Sequence, residues 1–215
     1  MSLIALAIDP ALGPPSVVTS SSDFSSEGAA VLIQNADPEQ LEAESKDCNA
    51  GYDLRVGGIF RDHRNTYGQV LADSEAIQLL PGTAVIVQTE ESVEFPKHRF
   101  GQIFPKVTLL TKGIANTTSK VDPGFQGPLL VTVFNLGKQT VSLHRRERFC
   151  SLNVFDVSGA VWPYRKPPHG IAAGRSTGLW RIVHDWIDGN VAMVTFVQTA
   201  FALLALVIAA VALAK

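Results

Sequence analysis

Cysteine is nearly absent from this chain: among 215 residues there are two, Cys48 and Cys150. They lie far apart and form neither a C-x-x-C pair nor a zinc-ligand pattern. Both read as buried free thiols in a reducing compartment, packing as small hydrophobes. Charge is also scarce, at 18% against 46% apolar residues, where a soluble domain usually carries about a quarter. That mismatch points to an uncharged segment within the chain. Neither sign of charge dominates. A formal net charge of −2 leaves no basic field to recruit nucleic acid. The first fifteen residues, MSLIALAIDPALGPP, do not read as a secretory leader, since no basic start precedes the apolar run and Asp9 and Pro10 interrupt it.

The uncharged segment is VAMVTFVQTAFALLALVIAAVALA, Val191 to Ala214, followed only by Lys215. As a helix it would be about 36 Å long, enough to cross a bilayer core of about 30 Å. The expectation is a single C-terminal transmembrane helix. Arg165, Lys166, Arg175 and Arg181 precede it, which puts the preceding domain on the cytoplasmic side. Ala205 and Ala209 give small-xxx-small spacing within the span. Just upstream, Leu179, Ile182, Val183, Trp186 and Ile187 fall on one helical stripe, with Ser176 or Thr177 available as N-cap. Residues 179–189 therefore read as an amphipathic helix, with Trp180 and Trp186 suited to the headgroup layer. Packing on the preceding domain is the alternative.

No long amphipathic helix occurs between Ala29 and Asp156. Short β-prone runs alternate with turns there: AAVLIQ, YDLRVGGIF, AIQLL, TAVIVQT, FGQIFPKVTLL, PLLVTVFNL, TVSLH and FCSLNVF. Pro-Gly at 81–82 and 123–124 supplies turn material. This pattern predicts a mainly β sandwich or barrel. Residues 1–28, rich in Ser, Pro and Gly toward their end, read as a loose arm, and 157–178 as a Pro/Gly linker.

Five stretches, NAGYDLRVGGIF (49–60), LLPGTAVIVQTEESVEFP (79–96), GQIFPKVTLLTKGI (101–114), VDPGFQGPLLVTVFNLG (121–137) and VSLHRRERFCSLNVF (141–155), occur in that order. Together they resemble the dCTP deaminase/dUTPase family over residues 30 to 156. AGYDLRVG and VDPGFQGPL at this separation carry most of the specificity. The resemblance implies a dUTPase-like distorted β-barrel or jelly-roll subunit. It also implies a homotrimer with active sites at subunit boundaries, a deoxypyrimidine triphosphate as substrate, and Mg2+ on its phosphates.

Carried over position by position, Asp122 takes the place of the aspartate that activates water in dUTPases. A carboxylate within hydrogen-bond reach of water can orient and deprotonate it. Asn116 stands where an amide reads the uracil edge, offering one donor and one acceptor face. Phe125 stands where an aromatic, usually tyrosine, stacks on deoxyribose. Lys106 and Thr108 occupy the phosphate-binding run, where an arginine-serine motif is usual. Lys106 keeps a charge there but lacks the bidentate fork. The stretch GIAAGRSTG keeps Ser176, Thr177 and Gly178 of the family's C-terminal arm beside Arg175, a further phosphate ligand, while Gly174 replaces the stacking phenylalanine.

The deaminase branch places a glutamate where this chain has Thr132, and its Arg-Ser-Ser-x-x-Arg run is here KVTLLT, with Val107 and Thr111 at two of its functional positions. Deamination by that route is disfavoured. Ser151 stands where a glutamine is usual. The resulting expectation is a membrane-anchored nucleotide hydrolase acting on dUTP or a related deoxynucleotide. The alternative is a nucleotide sensor or trimeric scaffold that has lost the chemistry. His144, Arg145, Arg146 and Arg148 read as a solvated basic face, and Arg61, His63 and Arg64 as a polar loop.

Overall fold

Two-residue periodicity in the sequence becomes strand in the structure, a computed structural model that describes residues 3–4, 16–41, 50–63, 65, 67–159, 161–167, 170–172, 193, 195–203 and 205. The strands, in chain order, are β1 (Leu3–Ile4), β2 (Val17–Val18), β3 (Val31–Gln34), β4 (Gly51–Asp62), β5 (Gln69–Val70), β6 (Ala76–Leu79), β7 (Ala84–Glu94), β8 (Arg99–Pro105), β9 (Ile114–Asn116), β10 (Ser119–Val121), β11 (Gln126–Asn135), β12 (Val141–His144) and β13 (Arg148–Asp156). A single helical turn, α1 (Val107–Leu110), follows β8. The expected mainly β fold with few helices is what the chain adopts.

Along β7, Val85, Val87, Thr89, Glu91 and Val93 are buried while their neighbours are half-exposed. Strand β11 answers with Leu129, Val131, Val133 and Asn135, and the two strands pair antiparallel with Val131 opposite Val87. Each such valine or leucine contributes on the order of 1.5–3 kcal/mol by leaving water. A one-residue slip of register would turn this whole row outward.

The strands join in the order β10-β8-β13-β4-β7-β11-β9. The two ends of that path, β10 and β9, are consecutive in sequence and separated only by Thr117 and Thr118. A link that short forces the ends together, so the sheet must curl back on itself toward a barrel. Beside it, β12 and β6 form a two-stranded sheet. Asn135 ties the two together: its Nδ2 donates to Leu79 O and Gln139 O at 2.8 Å each, and its Oδ1 accepts from Gly137 N at 2.9 Å. The Gly57-Gly58 pair sits where the register of β4 against β7 shifts between Val56 and Phe60. A Cβ on Gly57 would lie 2.2 Å from Gln88 O, so this close approach of two strands requires glycine.

Where the sequence shows a short apolar run ending KVTLL, the chain leaves the sheet. Lys106 is still extended (φ −79°, ψ 132°), and α1 turns Leu109 into the core while Val107 and Leu110 stay exposed. The Ser-rich stretch before residue 28 also has structure of its own. Val17 is fully buried and pairs in parallel with Val31.

One buried row carries a charge. Glu91 has no exposure; it accepts from Arg55 Nε at 2.6 Å, Arg55 N at 2.9 Å and Tyr52 Oη at 2.9 Å. Burial pushes the Glu91 carboxyl above the usual carboxylate range, while the Arg55 bonds pull the other way. The Tyr52 hydroxyl in turn accepts from Asp37 N at 2.7 Å, and Asp37 Oδ2 accepts from Arg148 Nη2 at 2.7 Å.

Burial would raise the Asp37 carboxyl, but hydrogen bonding and attraction from Arg148 hold it below the ordinary 3.8. A folded value below the unfolded one stabilises the protein above pH 3.8 and is lost as pH falls through the folded value. Asp37→Asn should therefore flatten the acid limb of stability below about pH 4, read as unfolding midpoints from pH 2 to 6. An acid limb unchanged in the variant would show that Asp37 is not its source.

Two compact units divide the chain, Met1–Ala173 and Gly174–Lys215. In the second, Met193, residues 195–203 and Ala205 are helical. Residues 195–203 as a helix measure about 14 Å, short of a bilayer core. Among the described residues no helix is long and apolar enough to cross a membrane, so the span expected over 191–214 finds no support there. The rest of 191–214 and the amphipathic segment 179–189 lie outside the described residues.

Candidate functional site

Asp122 opens a four-residue turn. Pro123 and Gly124 are its central residues, Gly124 has φ +78°, and Phe125 N donates to Asp122 O at 3.1 Å. Proline followed by a positive-φ glycine is the type II arrangement. The turn joins β10 to β11 and is clamped to the start of the loop between β7 and β8, with Gly124 N donating to Phe95 O at 3.0 Å and Phe95 N to Phe125 O at 2.9 Å. The Asp122 side chain is 34% exposed and accepts from Lys120 Nζ at 2.8 Å. It is a carboxylate on a fixed turn, with one oxygen engaged by a surface ammonium.

Phe125 packs partly on the core, and its ring meets Tyr164 at 5.4 Å between centroids with the planes tilted by 53°. Sequence reasoning missed Tyr164, which lies in the stretch read as a linker. That stretch is docked on the same chain. Tyr164 N donates to Pro123 O at 2.7 Å, and a Cβ on Gly124 would stand 2.9 Å from Pro163 Cβ. Further along, Ile171 is buried, its N–H donates to Gln88 Oε1 at 3.2 Å, and Gly68 N donates to Ala172 O at 2.9 Å. Between these anchors Arg165 lies 5.8 Å from the ring of Trp162, which is almost wholly exposed.

Lys106 does not stand free for a phosphate. Its ammonium is paired with Asp53 Oδ2, and Ser151 Oγ donates to Asp53 Oδ1 at 2.5 Å. Three adjacent strands bring these groups together, with Ser151 opposite both Asp53 and Phe104. The sequence held the signal for this cluster in the aspartate of AGYDLRVG, but strand order was needed to read it.

Asn116 ends β9 opposite Val133, and its Nδ2 donates to Thr117 O at 3.1 Å. Thr108 lies exposed in α1, where its carbonyl accepts from Thr111 Oγ1 at 3.0 Å. Both bonds are local to their own turns. Thr132 N donates to Thr117 Oγ1 at 3.4 Å. Arg175, Ser176 and Thr177 lie outside the described residues, as does Cys48. Cys150 is fully buried, and burial pushes its thiol well above the usual range, which makes it inert. The basic run is paired: Arg145 with Glu90, Arg146 with Asp73 at 3.5 Å, and Arg148 with Asp37.

The family model described as dCTP deaminase-like matches residues 22–157 of this chain. The chain belongs to the dCTP deaminase-like family. A dCTP deaminase of Thermococcus kodakarensis is 32% identical over 138 residues, covering 63% of this chain and 83% of that protein. A probable deoxyuridine 5'-triphosphate nucleotidohydrolase of Methanothermobacter thermautotrophicus is 30% identical over 120 residues, covering 52% and 80%. Among solved structures, the 2'-deoxycytidine 5'-triphosphate deaminase of Agrobacterium tumefaciens matches with a TM-score of 0.47 at 18% identity, over 57% of this chain and 43% of that one. Relatives of this dCTP deaminase-like chain thus carry two different activities, and the choice between them falls to its own residues.

Proposed function

We propose that this protein binds a deoxypyrimidine nucleoside triphosphate and hydrolyses it, dUTP or a related deoxynucleotide giving the monophosphate and pyrophosphate. The observation that carries this reading is Asp122, a partly exposed carboxylate fixed on a clamped turn. Asp122 takes a proton from water as the water oxygen bonds the α-phosphorus. The bond from that phosphorus to the bridging oxygen breaks, and pyrophosphate leaves with the bond's electron pair. Phe125 and Asn116 hold the nucleoside, with Lys106, Thr108 and Arg175 as phosphate ligands. The assembly that goes with this reading is a homotrimer.

Mg2+ typically takes one or two carboxylates, keeps several waters and binds the substrate's phosphates. Among the described residues no group of three or more His, Cys, Asp or Glu could hold a metal ion; in this reading the ion arrives on the substrate's phosphates. When bound, it neutralises charge on the phosphates. Deamination is disfavoured by Thr132, whose hydroxyl does not shuttle protons as a carboxylate does.

The test is product analysis by chromatography after mixing the full chain with magnesium and each deoxynucleoside triphosphate, dUTP included. Hydrolysis predicts pyrophosphate; ammonia released from dCTP would overturn it in favour of deamination. A second reading, nucleotide binding or assembly without turnover, is favoured by one observation: Lys106 is already engaged by Asp53. Binding of nucleotide with no product from any of them is its expected outcome.

Attachment to a bilayer through residues 191–214, with the β domain on the cytoplasmic side, rests on the uncharged sequence of that segment. It predicts that the full chain stays in the membrane fraction after an alkaline carbonate wash. Release into the supernatant would rule out a spanning anchor.

A further inference from the structure

Asp53 sits at the centre of a cluster with Lys106, Ser151 and Gln40. Gln40, almost fully buried, brackets the Asp53 backbone: its Oε1 accepts from Asp53 N at 2.7 Å and its Nε2 donates to Asp53 O at 3.0 Å. That clamp fixes the stretch of backbone from which the carboxylate projects. Both of its oxygens are occupied, Oδ1 by the Ser151 hydroxyl and Oδ2 by the Lys106 ammonium. Lys106 reaches it on a long flexible stem from the extended residue just ahead of α1. The pair is neutral overall, with side chains 22% and 26% exposed, so solvent reaches it.

We propose that Asp53 is a positioning residue, an internal counter-ion that keeps Lys106 and Ser151 from weak anions and yields them to a polyphosphate. A carboxylate and a phosphate are both anionic acceptors and compete for the same ammonium and hydroxyl. A monophosphate gains little by displacing a carboxylate already in place. A triphosphate carries several negative charges and competes better, so the fixed carboxylate selects for phosphate chain length. This rests on the reading of Lys106 as a phosphate ligand, and it is tested on anion binding separately from turnover.

The experiment is calorimetric titration of the full chain with inorganic triphosphate and with inorganic phosphate. Asp53→Asn keeps an acceptor for Ser151 and removes the competing charge. It is expected to tighten triphosphate binding about tenfold, about 1.4 kcal/mol, and to tighten inorganic phosphate by a larger factor, narrowing the preference. Lys106→Met should then cost about tenfold more affinity in the Asp53→Asn background than in the unaltered chain.

Equal costs of Lys106→Met in both backgrounds, or weaker binding in Asp53→Asn, would overturn the proposal. Asp53→Ser, which also removes the charge, serves if Asp53→Asn does not fold. Pyrophosphate release from dUTP, followed in the same preparations, reports separately on hydrolysis. No pyrophosphate from the unaltered chain, with the affinity coupling kept, counts against the hydrolase reading and supports Asp53.

Discussion

Asp122→Asn is expected to lower pyrophosphate release from the preferred deoxynucleotide by at least about 100-fold, the lower end of what a positioned general base contributes. The fold should be untouched. The turn is held by backbone bonds of Phe125, Gly124, Phe95 and Tyr164, none of which involves the Asp122 side chain. Asparagine also keeps an oxygen to accept from Lys120. What it loses is the ability to take a proton from water at neutral pH. Nucleotide affinity should therefore stay within about threefold while kcat falls, the pattern of a group that acts in the transition state. Single-turnover product formation and equilibrium binding of an imido analogue, measured on the same preparation, separate the two. Turnover that survives the substitution would remove Asp122 from the base's role. Turnover and binding lost together would mark it as a ligand for the substrate.

The largest stability effect is expected at Glu91. Glu91→Ala leaves the Arg55 guanidinium, 16% exposed, without the carboxylate that receives its Nε–H and backbone N–H, and Tyr52 without an acceptor. Breaking one partner of a buried pair costs about 3–5 kcal/mol. The side chain's volume also becomes a void between β4 and β7.

Removing both partners at once, as Glu91→Leu with Arg55→Met, should recover much of that loss, because no buried charge is left unpaired. Denaturant midpoints of the singles and the double decide it. A loss under about 1 kcal/mol in Glu91→Ala would place the pair among solvent-screened contacts. No motif or periodicity signals this network. Glu91 sits in QTEESVEFP, where alternation assigns it to the same face as Val87 and Val93, and only the position of β4 beside β7 explains how a carboxylate is held there.

The strands were legible where alternation was long. TAVIVQT, PLLVTVFNL and FCSLNVF lie within β7, β11 and β13, apart from Thr83 and Leu136, because burial on one face leaves a two-residue signature in composition. The two- and three-residue strands β1, β2, β5, β9 and β10 were not legible. Strands so short exist only through pairing with distant partners. The same applies to α1, where KVTLL continues an apolar run yet turns away from the sheet after Pro105. The docked segment at Pro163–Tyr164 and Ile171 was hidden by its proline- and glycine-rich composition, which signals breaks in secondary structure and says nothing of where a segment lies.

By itself the sequence determined the family, the mainly β class, and the positions of Asp122, Asn116, Phe125 and Lys106 in its motifs. Residue order and local periodicity carry that information. Tertiary structure alone decided that Lys106 is paired with Asp53 beside Ser151, that Tyr164 lies against Phe125, and that Arg55 neutralises Glu91. Those facts depend on which strands are neighbours, and strand neighbours far apart in sequence leave no local trace.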